Sequence, residues 1–159
     1  MLITNWNLNL PEWLVSILPE ISLKQYSTDE DRMRLAIDLS QKNVEHGTGG
    51  PFGAAIFHDV SGELLSVGVN QVVPQHCSLA HAEIMAIMTA QQKIKNFSLQ
   101  EAKYHLASSS QPCAMCTGAL AWSGLSRVTY AATKEDVEFL TGFDEGPLHP
   151  QWESELDAR

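Results

Sequence analysis

The sequence predicts an α/β protein in three layers: a mixed sheet, begun by an antiparallel hairpin and continued by parallel strands, with helices on both faces. Three observations carry this expectation. Two β-rich runs, residues 52–58 and 63–73, flank Asp59-Val60-Ser61-Gly62, the form of a hairpin with a glycine-containing turn. Strand-like segments at 104–108 and 127–131 then alternate with helical ones. Finally, 159 residues are enough for one domain with a substantial core.

Residues 1–26 read as an N-terminal extension, irregular except where Trp6, Trp13, Leu14, Ile17 and Leu18 can pack as a short helix on the body. Ser27-Thr28-Asp29-Glu30 has the S-x-x-E form of a capping box, and Met33, Ile37, Ser40 and Val44 follow at helical spacing up to Gly47. Beyond the hairpin, residues 78–92 form a helix with Ser78 as its N-cap. Its stretch 79–88 is apolar nearly all round, which marks a buried helix. The strand 104–108 leads to Pro112, a residue favoured at the first helical position, and to a helix ending near Ser123. The strand 127–131 and a short helix at 134–140 complete a domain spanning 27–147. Residues 146–159 hold two prolines and many charges and read as neither strand nor helix, so 148–159 is expected to be a poorly ordered polar tail.

Ten basic residues against nineteen acidic ones give a net charge of −9. That balance argues against a nucleic-acid partner, whose affinity needs clustered Lys and Arg. No apolar run approaches the length of a membrane span. The start of the chain lacks a basic n-region, and Pro11, Glu12 and Pro19 interrupt any apolar one, so it does not read as a signal peptide. Three cysteines, two in a C-x-x-C, indicate metal or redox chemistry in a reducing compartment, with the cytoplasm as the expected location.

His81-Ala82-Glu83 and Pro112-Cys113-Ala114-Met115-Cys116 carry the chemistry. One imidazole and two sulfurs suit zinc, and three protein ligands leave its fourth tetrahedral position open to a water whose pKa the metal lowers. Cys113 and Cys116, at i and i+3, share a helix face, and a helix N-terminus favours the thiolate form. Glu83 lies in an apolar helix, where a carboxylate is rarely buried without a task. His81 and Glu83 are two residues apart and would diverge in mid-helix, but in a first turn both can aim past the helix end. Glu83 therefore reads as a base beside the metal, not a ligand. A redox pair would leave His81 and Glu83 unexplained. A closed Cys₃His site completed by Cys77 would leave buried Glu83 without work.

With both motifs in place, the chain resembles the cytidine-deaminase superfamily, whose signature is H-x-E followed by P-C-x-x-C. Within that superfamily it is similar to the small bacterial guanine deaminases. The resemblance runs over residues 31–147. It includes Gly50-Pro51-Phe52-Gly53-Ala54, Asn70, both zinc motifs, Gly118-Ala119 and Trp122, and ends on Gly142-Phe143-Asp144-Glu145-Gly146-Pro147. The zinc motifs mark the superfamily, and the Phe-Asp-Glu-Gly-Pro segment points to the guanine branch.

The resemblance implies a cytidine-deaminase-like fold, a five-stranded sheet between helices, and a homodimer. It implies Zn²⁺ held by His81, Cys113 and Cys116, with Glu83 and Glu145 as catalytic acids and bases. Phe52, Asn70, Ala82, Trp122 and Asp144 would bind a small-molecule purine. Family members continue into a fifth strand and a terminal helix, so by this reading those elements are missing here. Deaminases of tRNA adenosine, cytosine, guanosine or an amino-triazine share the zinc site and are the rival readings, beside a zinc-binding protein without catalysis.

Overall fold

The structure is a computed structural model describing residues 2–5 and 7–158. Trp6, assigned above to N-terminal packing, lies outside the described residues. The helices are α1 (Glu12–Ser22), α2 (Asp29–Glu45), α3 (Ala82–Ile94), α4 (Ala114–Ser123), α5 (Lys134–Thr141) and α6 (Trp152–Asp157). The strands are β1 (Gly53–His58), β2 (Leu64–Val69), β3 (Tyr104–Ser110) and β4 (Arg127–Ala132), in the sheet order β2-β1-β3-β4. β1 pairs antiparallel with both β2 and β3, whereas β3 and β4 run parallel. The expected hairpin and later parallel pairing are thus present, but α3 carries the chain across β1 before the parallel pair begins.

The strand period of two divides the apolar residues between two cores. Ala55 and Phe57 of β1 pack with Leu14, Ile21, Leu35 and Leu39 of α1 and α2. Ala54 and Ile56 face the other way, onto Ala86, Ile87 and Ala90 of α3 and Leu120 of α4. Both faces are therefore covered, and β1 is apolar along almost its whole length. α1 belongs to the first core: Trp13 stacks on His46 and its Nε1–H donates to Thr48 Oγ1 at 2.8 Å. Residues 12–22 thus pack as a helix on the first core.

Three local expectations need correction. The buried face of α2 is Arg32, Leu35, Ala36, Leu39 and Asn43, while Ile37 and Val44 are exposed. An apolar count misses this face because two of its members are polar residues satisfied by internal hydrogen bonds. The capping box is formed by Thr28 and Asp31, one residue later than expected. The tail contains a helix, α6, whose Trp152 packs against Tyr130 of β4, and the Tyr130 hydroxyl donates to Glu153 Oε1 at 2.8 Å. These contacts lie on a strand outside the segment, which its composition does not record.

Gly68 on β2 sets the height of α3 above the sheet. A Cβ at this position would overlap the carbonyl oxygen of Ala82 and crowd the N–H of Ala86. The first turn of α3 can therefore rest on the strand backbone itself.

On the α2 face, His105 is fully buried in an ionic cluster. Arg32 Nη1 lies 2.9 Å from both Asp59 Oδ1 and His105 Nδ1, and His105 Nε2 is 2.8 Å from Thr129 Oγ1. A neutral imidazole accepting from Arg32 and donating to Thr129 satisfies every atom. Burial, reinforced by the charges of Arg127 and Arg32 and opposed by Asp29 and Asp59, pushes His105 from 6.5 down to about 4. Between those values the unfolded chain takes up a proton that the folded one refuses, so stability falls as pH drops from 6.5 towards 4. The cost at pH 4 is about 3 kcal/mol. Urea unfolding at pH 7 and pH 4.5 checks this: His105→Gln should flatten much of the slope, and an unchanged slope would assign it elsewhere.

Candidate functional site

The N-termini of α3 and α4 converge, and each helix opens on a metal-capable residue. His81 is the N-cap of α3, with extended backbone at φ −70°, ψ 156°, and Cys113 is the N-cap of α4, at φ −68°, ψ 172°. Both helices begin later than the sequence indicated, so neither Ser78 nor Pro112 is the starting residue. The later start resolves the spacing problem of His81 and Glu83. An N-cap residue is not yet on the helical spiral, so its side chain and that of the second helical residue reach the same cleft.

His81 Nδ1 lies 3.7 Å from Cys113 Sγ and 3.7 Å from Cys116 Sγ, and the three donor atoms fall within 4.8 Å of one another. Zinc bonds of 2.0–2.3 Å at tetrahedral angles place their ligand atoms roughly 3.5–3.8 Å apart. The donors and their spacing fit zinc. Among the described residues, Cys77 stands outside this group as a free, half-buried thiol. That removes the closed Cys₃His arrangement.

The neighbouring Cys116 and His81 side chains favour the Cys113 thiolate, which is pushed down to about 4 despite partial burial. The Cys113 sulfur beside it, together with burial, drives Cys116 upward. The hydrogen bond to Cys113 raises His81 above its usual range. A divalent cation would displace these shared protons and hold both sulfurs as thiolates.

Glu83 is 5% exposed, and burial pushes its carboxyl above the usual range. Its Oε1 accepts from Ser108 Oγ at 3.2 Å, and its Oε2 accepts from the Cys116 thiol at 3.4 Å. Glu83 is thus beside the ligand trio and outside it. Glu145 reaches the same cleft from the segment after α5, and burial raises it too. That segment is pinned at three points: the Phe143 ring meets Phe52 with centroids 6.0 Å apart, Glu145 N–H donates to Glu138 Oε1 at 3.3 Å, and Lys134 Nζ donates to the Gly146 carbonyl.

The cleft is lined by Phe52, His81, Ala82, Glu83, Ser110, Gln111, Cys113 and Glu145. Among the substrate residues named from the resemblance, Phe52 and Ala82 line this cleft. Asn70, at the end of β2, is 9% exposed and is not among the lining residues. Its Oδ1 accepts from Gly50 N–H and Val72 N–H, both at 3.3 Å, which leaves Nδ2 without a partner among the described residues. Two assignments fail to reach the cleft. Trp122 is 84% exposed on the outer side of α4, and exposed Asp144 turns its carboxylate back to the Gly146 N–H at 2.8 Å.

Sequence reasoning missed Ser108, Ser110 and Gln111. The available signal was the run Ser108-Ser109-Ser110-Gln111 directly before the cysteine motif, because consecutive serines inside a buried strand need partners. A larger groove between α1 and α2, lined by Ile17, Tyr26, Arg34 and Lys42 among others, brings no catalytic cluster together.

A family model described as "cytidine and deoxycytidylate deaminase zinc-binding region" matches residues 26–132. The chain is 33% identical over 130 residues to guanine deaminase of Bacillus subtilis, covering 82% of this chain and 80% of that one. It is 32% identical over 106 residues to a tRNA-specific adenosine deaminase of Buchnera aphidicola, covering 67% of each. A solved guanine deaminase from Nitrosomonas europaea superposes with a TM-score of 0.90 at 37% identity, covering 100% of this chain and 87% of that one.

Proposed function

The chain belongs to the cytidine and deoxycytidylate deaminase family and is a zinc-dependent hydrolytic deaminase; from that premise we propose that its substrate is a free purine base, guanine, converted to xanthine and ammonia. The observation that carries the choice of base is Glu145 lining the same cleft as Glu83. Guanine presents two adjacent donors, N1–H and the 2-amino group, and a carboxylate matches that edge. The residues lining the cleft include no Lys or Arg, so a phosphate would find no cation there, and the net charge of −9 adds repulsion.

When held by His81, Cys113 and Cys116, zinc supplies an acidified water as nucleophile near neutral pH. The rest falls to this chain's own groups. Glu83 accepts that water's proton and returns it to the ring nitrogen beside C2, a task suited to a carboxyl raised by burial. A C2–O bond forms and the bond from C2 to the 2-amino group breaks, the amine leaving as ammonia with the second proton of the attacking water. Glu145 holds the amidine edge and assists the departing amine. Phe52, backed by Phe143, bounds the ring plane, and Asn70 Nδ2 offers a donor to a purine acceptor. A homodimer belongs to the same reading, as does the reducing cytoplasm, which suits three free cysteines. No helix among the described residues is long and apolar enough to cross a membrane.

Ammonia release from guanine, guanosine, adenine, cytosine, cytidine and a tRNA stem-loop tests the substrate. Guanine should dominate, and Glu145→Gln should lower kcat on guanine far more than it raises KM. Deamination of stem-loop adenosine without any of guanine would transfer the protein to the RNA-acting branch.

A further inference from the structure

We propose that Ser108 is a positioning residue that assigns different work to the two oxygens of Glu83; this rests on the deaminase reading above and extends it. Each oxygen has its own side-chain donor, Ser108 Oγ for Oε1 and the Cys116 thiol for Oε2. The two donors are not equivalent. Cys116 ligates a metal only as a thiolate, and a thiolate has no proton to give. Loading the site therefore removes the bond to Oε2 and leaves Ser108 as the side-chain donor to Glu83 among the described residues.

Ser108 is built to keep that bond. It is 1% exposed on a central strand that pairs with β1 on one side and β4 on the other. It shares the α3-facing side of β3 with Leu106, opposite the first turn that carries Glu83. The Ser110 N–H approaches Ser108 Oγ at 3.5 Å, occupying an acceptor direction and leaving the hydroxyl proton for Glu83. A glutamate has three rotatable side-chain bonds. Anchored at Oε1, it keeps Oε2 turned to the ligand cluster, where protons are exchanged; unanchored, it rotates among orientations of which few are productive. The anchor sits on the sheet and the metal ligands sit on two helix ends, so Ser108 acts on the base without touching the metal.

Three measurements on the zinc-loaded protein test this. Ser108→Ala should lower kcat on the order of 10- to 100-fold with KM changed less than about twofold and zinc retained at one per chain. Ser108→Thr, which keeps a hydroxyl, should recover most of the loss. Crystal structures independent of turnover should show Glu83 Oε1 on the Ser108 hydroxyl in the parent and the carboxylate displaced or multiply oriented in Ser108→Ala. An unchanged kcat, an unchanged Glu83 conformer, or a loss of zinc that accounts for the lost activity would each overturn the proposal. Failure of the parent protein to deaminate any base would instead overturn the functional reading, and the crystallographic comparison would still decide the role of Ser108.

Discussion

Glu83→Gln is expected to leave zinc content and folding intact while lowering turnover by roughly 10²–10⁴-fold, the range attributed to a positioned general acid or base. The substitution is nearly isosteric. Its amide oxygen can still accept from Ser108 Oγ, so the hydrogen bond at 3.2 Å can persist. What disappears is the capacity to take and return a proton. Because Glu83 is outside the group formed by His81, Cys113 and Cys116, metal stoichiometry should remain one per chain. Metal analysis beside the ammonia assay separates the outcomes. Loss of zinc would make Glu83 a ligand, and retained turnover would place the proton transfer on Glu145.

Gly68→Ala is expected to have the largest effect on stability, and through stability on the site. The added methyl would overlap Ala82 O and press on Met85 Cβ, so the backbone of α3 must rise from β2. Forced overpacking of this kind costs about 3 kcal/mol. Ala82 stands between His81 and Glu83, and a shift of the first turn moves ligand and base together. Urea midpoint and zinc occupancy should therefore fall in the same variant. Gly118 is the control. It lies within α4, with open space where a Cβ would stand and no positive φ, so Gly118→Ala should be neutral or stabilise by about 0.5–1 kcal/mol. Equal behaviour of the two variants would show that the close approach at Gly68 is not what seats α3.

The legible part of the fold was the part written in local patterns. The hairpin could be read from a glycine turn between β-rich runs, and the later strands from their alternation with helices. The rotated face of α2 could not, because Arg32 and Asn43 are buried by hydrogen bonds to distant segments. Asn43 Nδ2 reaches the carbonyls of Gly50 and Asn70, both at 2.9 Å. No hydrophobic pattern along a single helix records such partners. The same holds for α6, whose contact with Tyr130 reaches a distant strand.

The candidate site divides in the same way. By itself the sequence offered the candidate donor atoms, the carboxylate two residues past the histidine and the later acidic pair Asp144-Glu145, because each depends on residue type and short spacing. Only the tertiary structure decided which groups meet. It set Glu145 in the cleft and turned Asp144 out of it, left Trp122 on the surface and Cys77 outside the metal group, and brought Ser108 onto Glu83. The physical reason is that ligand chemistry belongs to single side chains, whereas proximity is set by where two helix N-termini and the end of a buried strand come together, and that depends on packing across the whole sheet.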